Sequence, residues 1–256
     1  MRRGGLLVVT AHPDDESLIA GGVLAACSAA GVPTAVVCLT RGEWGPIADP
    51  ALATQATLAE VRVAELEAAC ATLGVEYVHC CSHSDGSLAS ADDDEVVAEL
   101  AAIIAQARPA AIVTFDADGL YQHPDHMAAH EFTVAAIARS APEPVLYEAI
   151  WPAESSCELV AALRARGLPC DLWGFPPDEF GCALPEGVVE VDVAPFVERK
   201  LAALRAHRTQ LGADHALAAI PGDLAARFLG VERFRCLSRN GRTDWLTRVA
   251  AVVGHG

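Results

Sequence analysis

The feature that most narrows the folds open to this chain is a rhythm over residues 6–151, where short unbroken apolar runs alternate with segments of helical length. Leu6–Thr10 (LLVVT), Thr34–Thr40 (TAVVCLT), Val75–Cys80, Ala110–Phe115 (AAIVTF) and Val145–Trp151 are too apolar to keep one face in water. Strands of that kind are buried on both sides, which is the condition of a mainly parallel sheet. The segments between them predict helices from Glu16 to Ala30, stopped by Gly31, and from Ala56 to Leu73, closed by Gly74. A third runs from a cap at Ser90 or Asp92 to Ala107, and a fourth from Pro124 to Arg139. Right-handed crossovers between such strands give an α/β fold, a three-layer α/β/α sandwich with a Rossmann-like sheet.

The character changes after residue 151. Residues 167–187 hold Pro169, Pro176, Pro177 and Pro185 with Trp173 and Phe175, a loop expected to cover something. Val188–Val193 alternates as a strand, and Pro195 opens a helix expected to reach Leu211. With no repeat or polar linker, one domain over 1–256 is expected, a core of 6–151 and a C-terminal elaboration of 152–256.

Composition excludes several roles. The 34 acidic and 18 basic residues leave a net charge of −16, the wrong sign for a nucleic-acid or anionic-membrane partner. Leu6–Val9 is too short for the apolar region of a signal peptide, and no run is long enough to span a bilayer, so a cytoplasmic protein is expected. The nine cysteines are odd in number and form no C-x-x-C, which suits reduced core thiols; Cys170 and Cys182 are the pair that could bridge, against expectation. Homo-oligomerisation stays open.

Two segments carry chemistry, and both lie where strands end on the rim that binds ligands in such sheets. His12-Pro13-Asp14-Asp15-Glu16 follows the first strand; Tyr121-Gln122-His123-Pro124-Asp125-His126 follows the fourth. In each, a proline stiffens a turn that enters a helix, holding the flanking groups at little entropic cost. An acidic helix cap beside a core histidine would explain the first segment alone, but hardly both. A divalent metal explains both: His12, Asp15 and His126 offer two nitrogens and a carboxylate, with positions left for water and substrate. Asp14 then faces the water as general base. His123 sits beside the metal, with Asp125 expected to accept its ring N–H and favour the imidazolium, so that His123 steadies an oxyanion or protonates a leaving amine. Zn2+ suits this set, and Fe2+ does too.

Both segments resemble the signatures of the PIG-L/LmbE-like superfamily of zinc-dependent N-deacetylases. Leu39-Thr40-Arg41-Gly42-Glu43 resembles that family's segment after strand two, Arg62 with Glu65 its R-x-x-E-L helix, and Lys200 with His207-Arg208-Thr209-Gln210, more loosely, its C-terminal helix. Ile19 departs from a frequent family glycine. The resemblance implies His12, Asp15 and His126 as zinc ligands, Asp14 as base, His123 as electrostatic or acid partner and Asp125 as its orienting residue. It further implies Arg62 on substrate hydroxyls or phosphate and Tyr121 on the amide carbonyl. The implied reaction removes an N-acetyl or other N-acyl group from an amino sugar or glycoconjugate. A thiol-conjugate amidase of the same family, an iron oxygenase and a non-catalytic metal-stabilised binding protein are the alternatives.

Asp85, in Ser84-Asp85-Gly86, is read either as a substrate-hydroxyl contact or as a plain turn residue. Trp44, Trp173 and Phe175 could stack on a sugar. His130, one turn after His126, and His207 are read as structural. His79 and His83 flank Cys80-Cys81, but a second metal site there is set aside because adjacent cysteines point to opposite faces of a strand. The absence of G-x-G-x-x-G after the first strand excludes a Rossmann-type dinucleotide site.

Overall fold

The structure, a computed structural model, describes residues 3–237 and 244–253. Its strands are β1 (Leu6–Thr10), β2 (Thr34–Thr40), β3 (Tyr77–His83), β4 (Ala111–Phe115), β5 (Val145–Ile150), β6 (Val189–Asp192) and β7 (Val231–Cys236). They form one sheet in the order β3-β2-β1-β4-β5-β7-β6. β1 to β5 run parallel, while β7 is antiparallel to both β5 and β6. Every residue of β1, β2, β4 and β5 is buried, as the unbroken apolar runs require.

The helices are α1 (Asp15–Ala29), α2 (Leu58–Leu73), α3 (Asp93–Ala107), α4 (Gly119–Gln122), α5 (Pro124–Ala138), α6 (Ala153–Ala165), α7 (Val197–Leu204), α8 (Ala216–Ala219), α9 (Gly222–Leu229) and α10 (Trp245–Val253). α1, α2 and α7 pack together on one face of the sheet, and α3 packs with α5 on the other. Asp92 caps α3, accepting the backbone N–H groups of Asp94 and Glu95. The three-layer α/β/α sandwich is therefore the observed fold.

Three elements differ from expectation. β3 starts two residues late and reaches His83, which brings both histidines of that segment onto the strand. α7 stops at Leu204 rather than Leu211, and residues after it turn inward, burying His207 completely. β7 was not anticipated, because Val231-Glu232-Arg233-Phe234-Arg235-Cys236 is half polar and lacks the run that marks a doubly buried strand.

β7 also anchors the centre of the fold. Its Glu232 accepts the backbone N–H groups of Gly22 and Val23 in mid-α1, at 2.7 and 2.8 Å, and pairs with Lys200 Nζ of α7 at 2.7 Å. Gly22 makes this approach possible, since a Cβ there would lie 2.5 Å from Val193 Cγ2. The side chains of Lys200 and Glu232 are buried, so the pair is sustained by those further hydrogen bonds rather than by charge alone. Each of the nine cysteines is a free thiol, Cys170 and Cys182 included. Among the described residues no helix is long and apolar enough to cross a membrane.

Candidate active site

β1 pairs with β2 on one side and β4 on the other, so the chain reverses its direction across the sheet between β1 and β4. Loops leaving the carboxyl ends of two such strands part to opposite faces and open a crevice. The two polar segments follow these two strands, which is why residues more than a hundred positions apart meet.

Their donor atoms converge. His12 Nδ1 and His126 Nε2 lie 3.3 Å apart; Asp15 brings Oδ2 to 3.5 Å from the first and Oδ1 to 3.3 Å from the second. All three residues are buried. The opposite ring nitrogens fix the tautomers. His12 Nε2 faces two carboxylates, Asp85 Oδ1 at 3.1 Å and Asp125 Oδ2 at 3.2 Å, so it is held as an N–H donor, and Nδ1 is the nitrogen that would give up its proton to bind a metal. His126 Nδ1 donates to Gly119 O at 3.2 Å, leaving the Nε2 lone pair free, while Phe115 stacks on the ring at 3.9 Å. Two nitrogen lone pairs and a carboxylate aimed at one point fit a divalent metal ion.

Burial lowers the pKa of His12, but the Asp125, Asp15 and Asp85 carboxylates outweigh it and raise the value well above that of a free imidazole. Burial likewise opposes ionisation of Asp15, yet His126 and His12 hold it well below the usual carboxylate range. The triad thus favours an ionised carboxylate.

Asp14 is held in a costly backbone conformation, with φ at 122°. Glu16, fully buried, imposes it: Oε2 accepts the Asp14 N–H at 3.0 Å, and Oε1 accepts from Ser17 Oγ at 2.5 Å and from His207 Nε2 at 2.9 Å. Arg62 completes the setting, donating to Gly42 O at 2.9 Å, Pro13 O at 2.6 Å and Asp14 Oδ2 at 3.2 Å. Gly42 must be glycine, because its φ is 64° and a Cβ would sit 2.3 Å from the guanidinium. Burial drives the Asp14 carboxyl up, Arg62 pulls it back and Asp15 raises it again, to about 7.

His123 caps α5, its Nδ1 accepting the Asp125 N–H at 3.2 Å, which leaves Nε2–H as the free donor. Its ring centroid is 4.8 Å from that of His12 and 4.6 Å from that of His126. Burial and these two imidazoles push its pKa down to about 4, so the ring is neutral near pH 7 and the expected imidazolium is not favoured. Tyr121 lies edge-on to His126 at 5.1 Å, in a kink where Leu120 and Gln122 both have positive φ.

Three expected contacts are redirected. Asp125 does not orient His123 through its carboxylate; it accepts from His12 Nε2, Gly86 N at 2.7 Å and Leu88 N at 3.0 Å. Asp85 is buried against His12 and Trp44 N rather than turned to a ligand's hydroxyl. Arg62 is 3% exposed, with Nη1 and Nη2 bonded to Gly42 O, Pro13 O and Asp14, so it acts first on Asp14. His130 pairs with Glu148 at 2.8 Å, outside the cluster. The sequence reading missed Glu16 and His207 as supports of Asp14; a buried acid and a distant histidine carry no local signal of their pairing.

The cluster forms the floor of a cleft of about 350 Å³, walled by Trp44, Trp173, Phe175, Tyr121, Gln210 and Leu211. That size and mix of aromatic and polar walls suit a sugar-sized ligand.

Histidines and carboxylates gathered at the crevice of a parallel sheet, with a carboxyl poised near neutrality, are the equipment of a hydrolytic enzyme. Residues 7–137 match the family PIG-L, GlcNAc-PI de-N-acetylase. The 1D-myo-inositol 2-acetamido-2-deoxy-alpha-D-glucopyranoside deacetylase of Acidothermus cellulolyticus is 35% identical, covering 90% of this chain and 87% of its own. Among solved structures, the N,N'-diacetylchitobiose deacetylase from Pyrococcus horikoshii superposes with a TM-score of 0.59 at 22% identity, covering 94% of this chain and 88% of that one. The 4-carboxy-2-hydroxymuconate hydratase from Pseudomonas putida KT2440 superposes with 0.64 at 20% identity, covering 93% and 97%, so the fold alone does not choose the reaction. The chain belongs to the PIG-L family and is a hydrolytic N-deacetylase.

Proposed function

We propose that the protein removes the N-acetyl group of a 2-acetamido-2-deoxyglucopyranoside, with the glucosaminyl-inositol compound in the relative's name as the first substrate to try. The observation that carries this reading is the meeting of His12 Nδ1, His126 Nε2 and Asp15 within 3.5 Å, with Asp14 the adjoining residue. A divalent cation held by His12, Asp15 and His126, zinc by donor preference and iron(II) as the alternative, supplies Lewis acidity toward water and the acetyl carbonyl. Asp14 accepts a proton from the attacking water as oxygen bonds to the amide carbon, and returns it to the nitrogen as the C–N bond breaks. His123, neutral, donates Nε2–H to the carbonyl oxygen as negative charge builds there. Tyr121 borders the same point and is the second candidate donor.

The decisive assay measures acetate released from 1D-myo-inositol 2-acetamido-2-deoxy-alpha-D-glucopyranoside. Release should exceed that from N-acetylglucosamine, stop with a chelator and return with zinc. A metal-loaded protein that releases acetate from no 2-acetamido sugar would overturn the reading.

Two further outcomes follow from the geometry. Asp125→Ala removes a carboxylate that holds His12 in its ligating tautomer, so metal affinity, measured against a competing chelator, should fall about 10- to 100-fold. Unchanged affinity would show that Asp85 alone sets His12. Trp44, 68% exposed at the cleft mouth, contacts no reacting atom. Trp44→Ala should raise KM about tenfold, the equivalent of about 1.4 kcal/mol of stacking, with kcat nearly unchanged. A fall in kcat at constant KM would remove Trp44 from the sugar platform.

A further inference from the structure

Outside the cleft, β3 and α3 assemble a second set of donors. β3 is an edge strand, and its residues His79, Cys81 and His83 all reach Glu99 of α3. Glu99 Oε1 lies 3.7 Å from His79 Nε2 and Oε2 lies 2.8 Å from His83 Nε2. Donor atoms of His79, Cys81 and Glu99 all fall within 4.8 Å of one another. The sequence reading dismissed this segment because two neighbouring cysteines cannot share a face. Only one is needed: Cys80 turns away to Thr40 O, and Cys81 stays with the histidines.

We propose that His79, Cys81, His83 and Glu99 form a second cation site, for a zinc-class ion, independent of the catalytic centre. Two imidazoles, a thiolate and a carboxylate are a complete four-coordinate zinc donor set. Ligand distances near 2.0 Å for nitrogen and oxygen and 2.3 Å for sulfur place tetrahedral donors about 3.3–3.8 Å apart; shifts of about 1 Å bring His79, Cys81 and Glu99 to that spacing, and His83, held on Glu99 Oε2 outside that trio, completes the set by turning inward. Thiolate and carboxylate together balance the charge of a divalent ion. The His79 and Glu99 side chains are each 38% exposed, which gives the ion a way in, while buried Cys81 closes the inner side. On binding, the Cys81 S–H bond breaks, its electron pair forms the sulfur–metal bond and the proton leaves to buffer; both imidazoles bind as neutral bases.

Cobalt separates the two centres, because only the second contains sulfur. The protein loaded with Co2+ should bind two ions per chain and show a thiolate-to-cobalt charge-transfer band, which zinc displaces. The His79→Gln/His83→Gln variant, altered only at the accessible end of the site, should bind one ion, lose the band and keep wild-type deacetylation. Cys81→Ala should behave in the same way. One cobalt per chain in the wild type, absence of the band, or a band that survives either variant would overturn the site. Since deacetylation is read separately, failure here leaves the reading of the cleft intact.

Discussion

Replacing Asp14 with asparagine is expected to leave the His12, Asp15 and His126 triad loaded with metal while cutting deacetylation by about 10²- to 10⁴-fold, the usual contribution of a general base. Asparagine is the better probe than alanine, because it tolerates the positive φ that Asp14 adopts. It keeps an oxygen for Arg62 and removes only the capacity to take a proton. The pH dependence supplies an independent check. Burial places the Asp14 carboxyl near 7, and the base form lies above that value, so kcat/KM should climb as pH rises through it. A bound cation moves this limb lower, and loss of the Arg62 charge, as in Arg62→Met, moves it higher. The same shift links to stability. Because the folded-state value exceeds that of an exposed aspartate, the stabilisation is complete below about pH 4 and is lost as pH rises through about 7. At pH 8 the metal-free Asp14→Asn variant should therefore melt above the metal-free wild type. An Asp14→Asn enzyme of normal turnover would end the assignment of Asp14 as base.

His126→Ala carries the other large effect: loss of the ion from the catalytic centre and of deacetylation down to background. The residue is fully buried, its Nδ1 committed to Gly119 O and its ring stacked on Phe115, so its Nε2 is held fixed toward the triad and alanine removes that nitrogen outright. Metal content is best counted in the His79→Gln/His83→Gln background, where one centre remains. Unchanged stoichiometry there would remove His126 from the ligand set. His123→Ala should give the opposite pattern, with metal retained and turnover reduced. Metal loss from that variant would make His123 a ligand, a possibility its proximity to His12 and His126 keeps testable.

Much of the site was legible because it is local. Pro13 and Pro124 each follow a histidine and precede carboxylates at a helix start, and such turns place their side chains wherever the preceding strand ends. Once β1 and β4 were read as buried strands, the parallel-sheet rule put both turns on one rim. What stayed illegible was the pairing among those groups. Asp125 was assigned to its neighbour His123 on sequence proximity, yet its backbone N–H, not its carboxylate, meets that ring. The carboxylate crosses to His12, 113 residues away, because α5 packs beside the loop after β3, whose Gly86 and Leu88 amides fix its direction.

The amino-acid order alone determined the unbroken apolar strands, the helices between them and the two proline-stiffened turns, because these arise from periodicity and backbone restriction within a few residues. Tertiary structure alone decided that Glu16 would meet His207, that Asp125 and Asp85 would converge on His12, that the half-polar β7 would enter the sheet, and that Glu99 would face one side of β3. The physical reason is that a buried polar group must find a partner or lose several kcal/mol, about 1–3 for a neutral group and more for a charge, and that partner is chosen by how whole elements pack. No pattern along the chain encodes the choice.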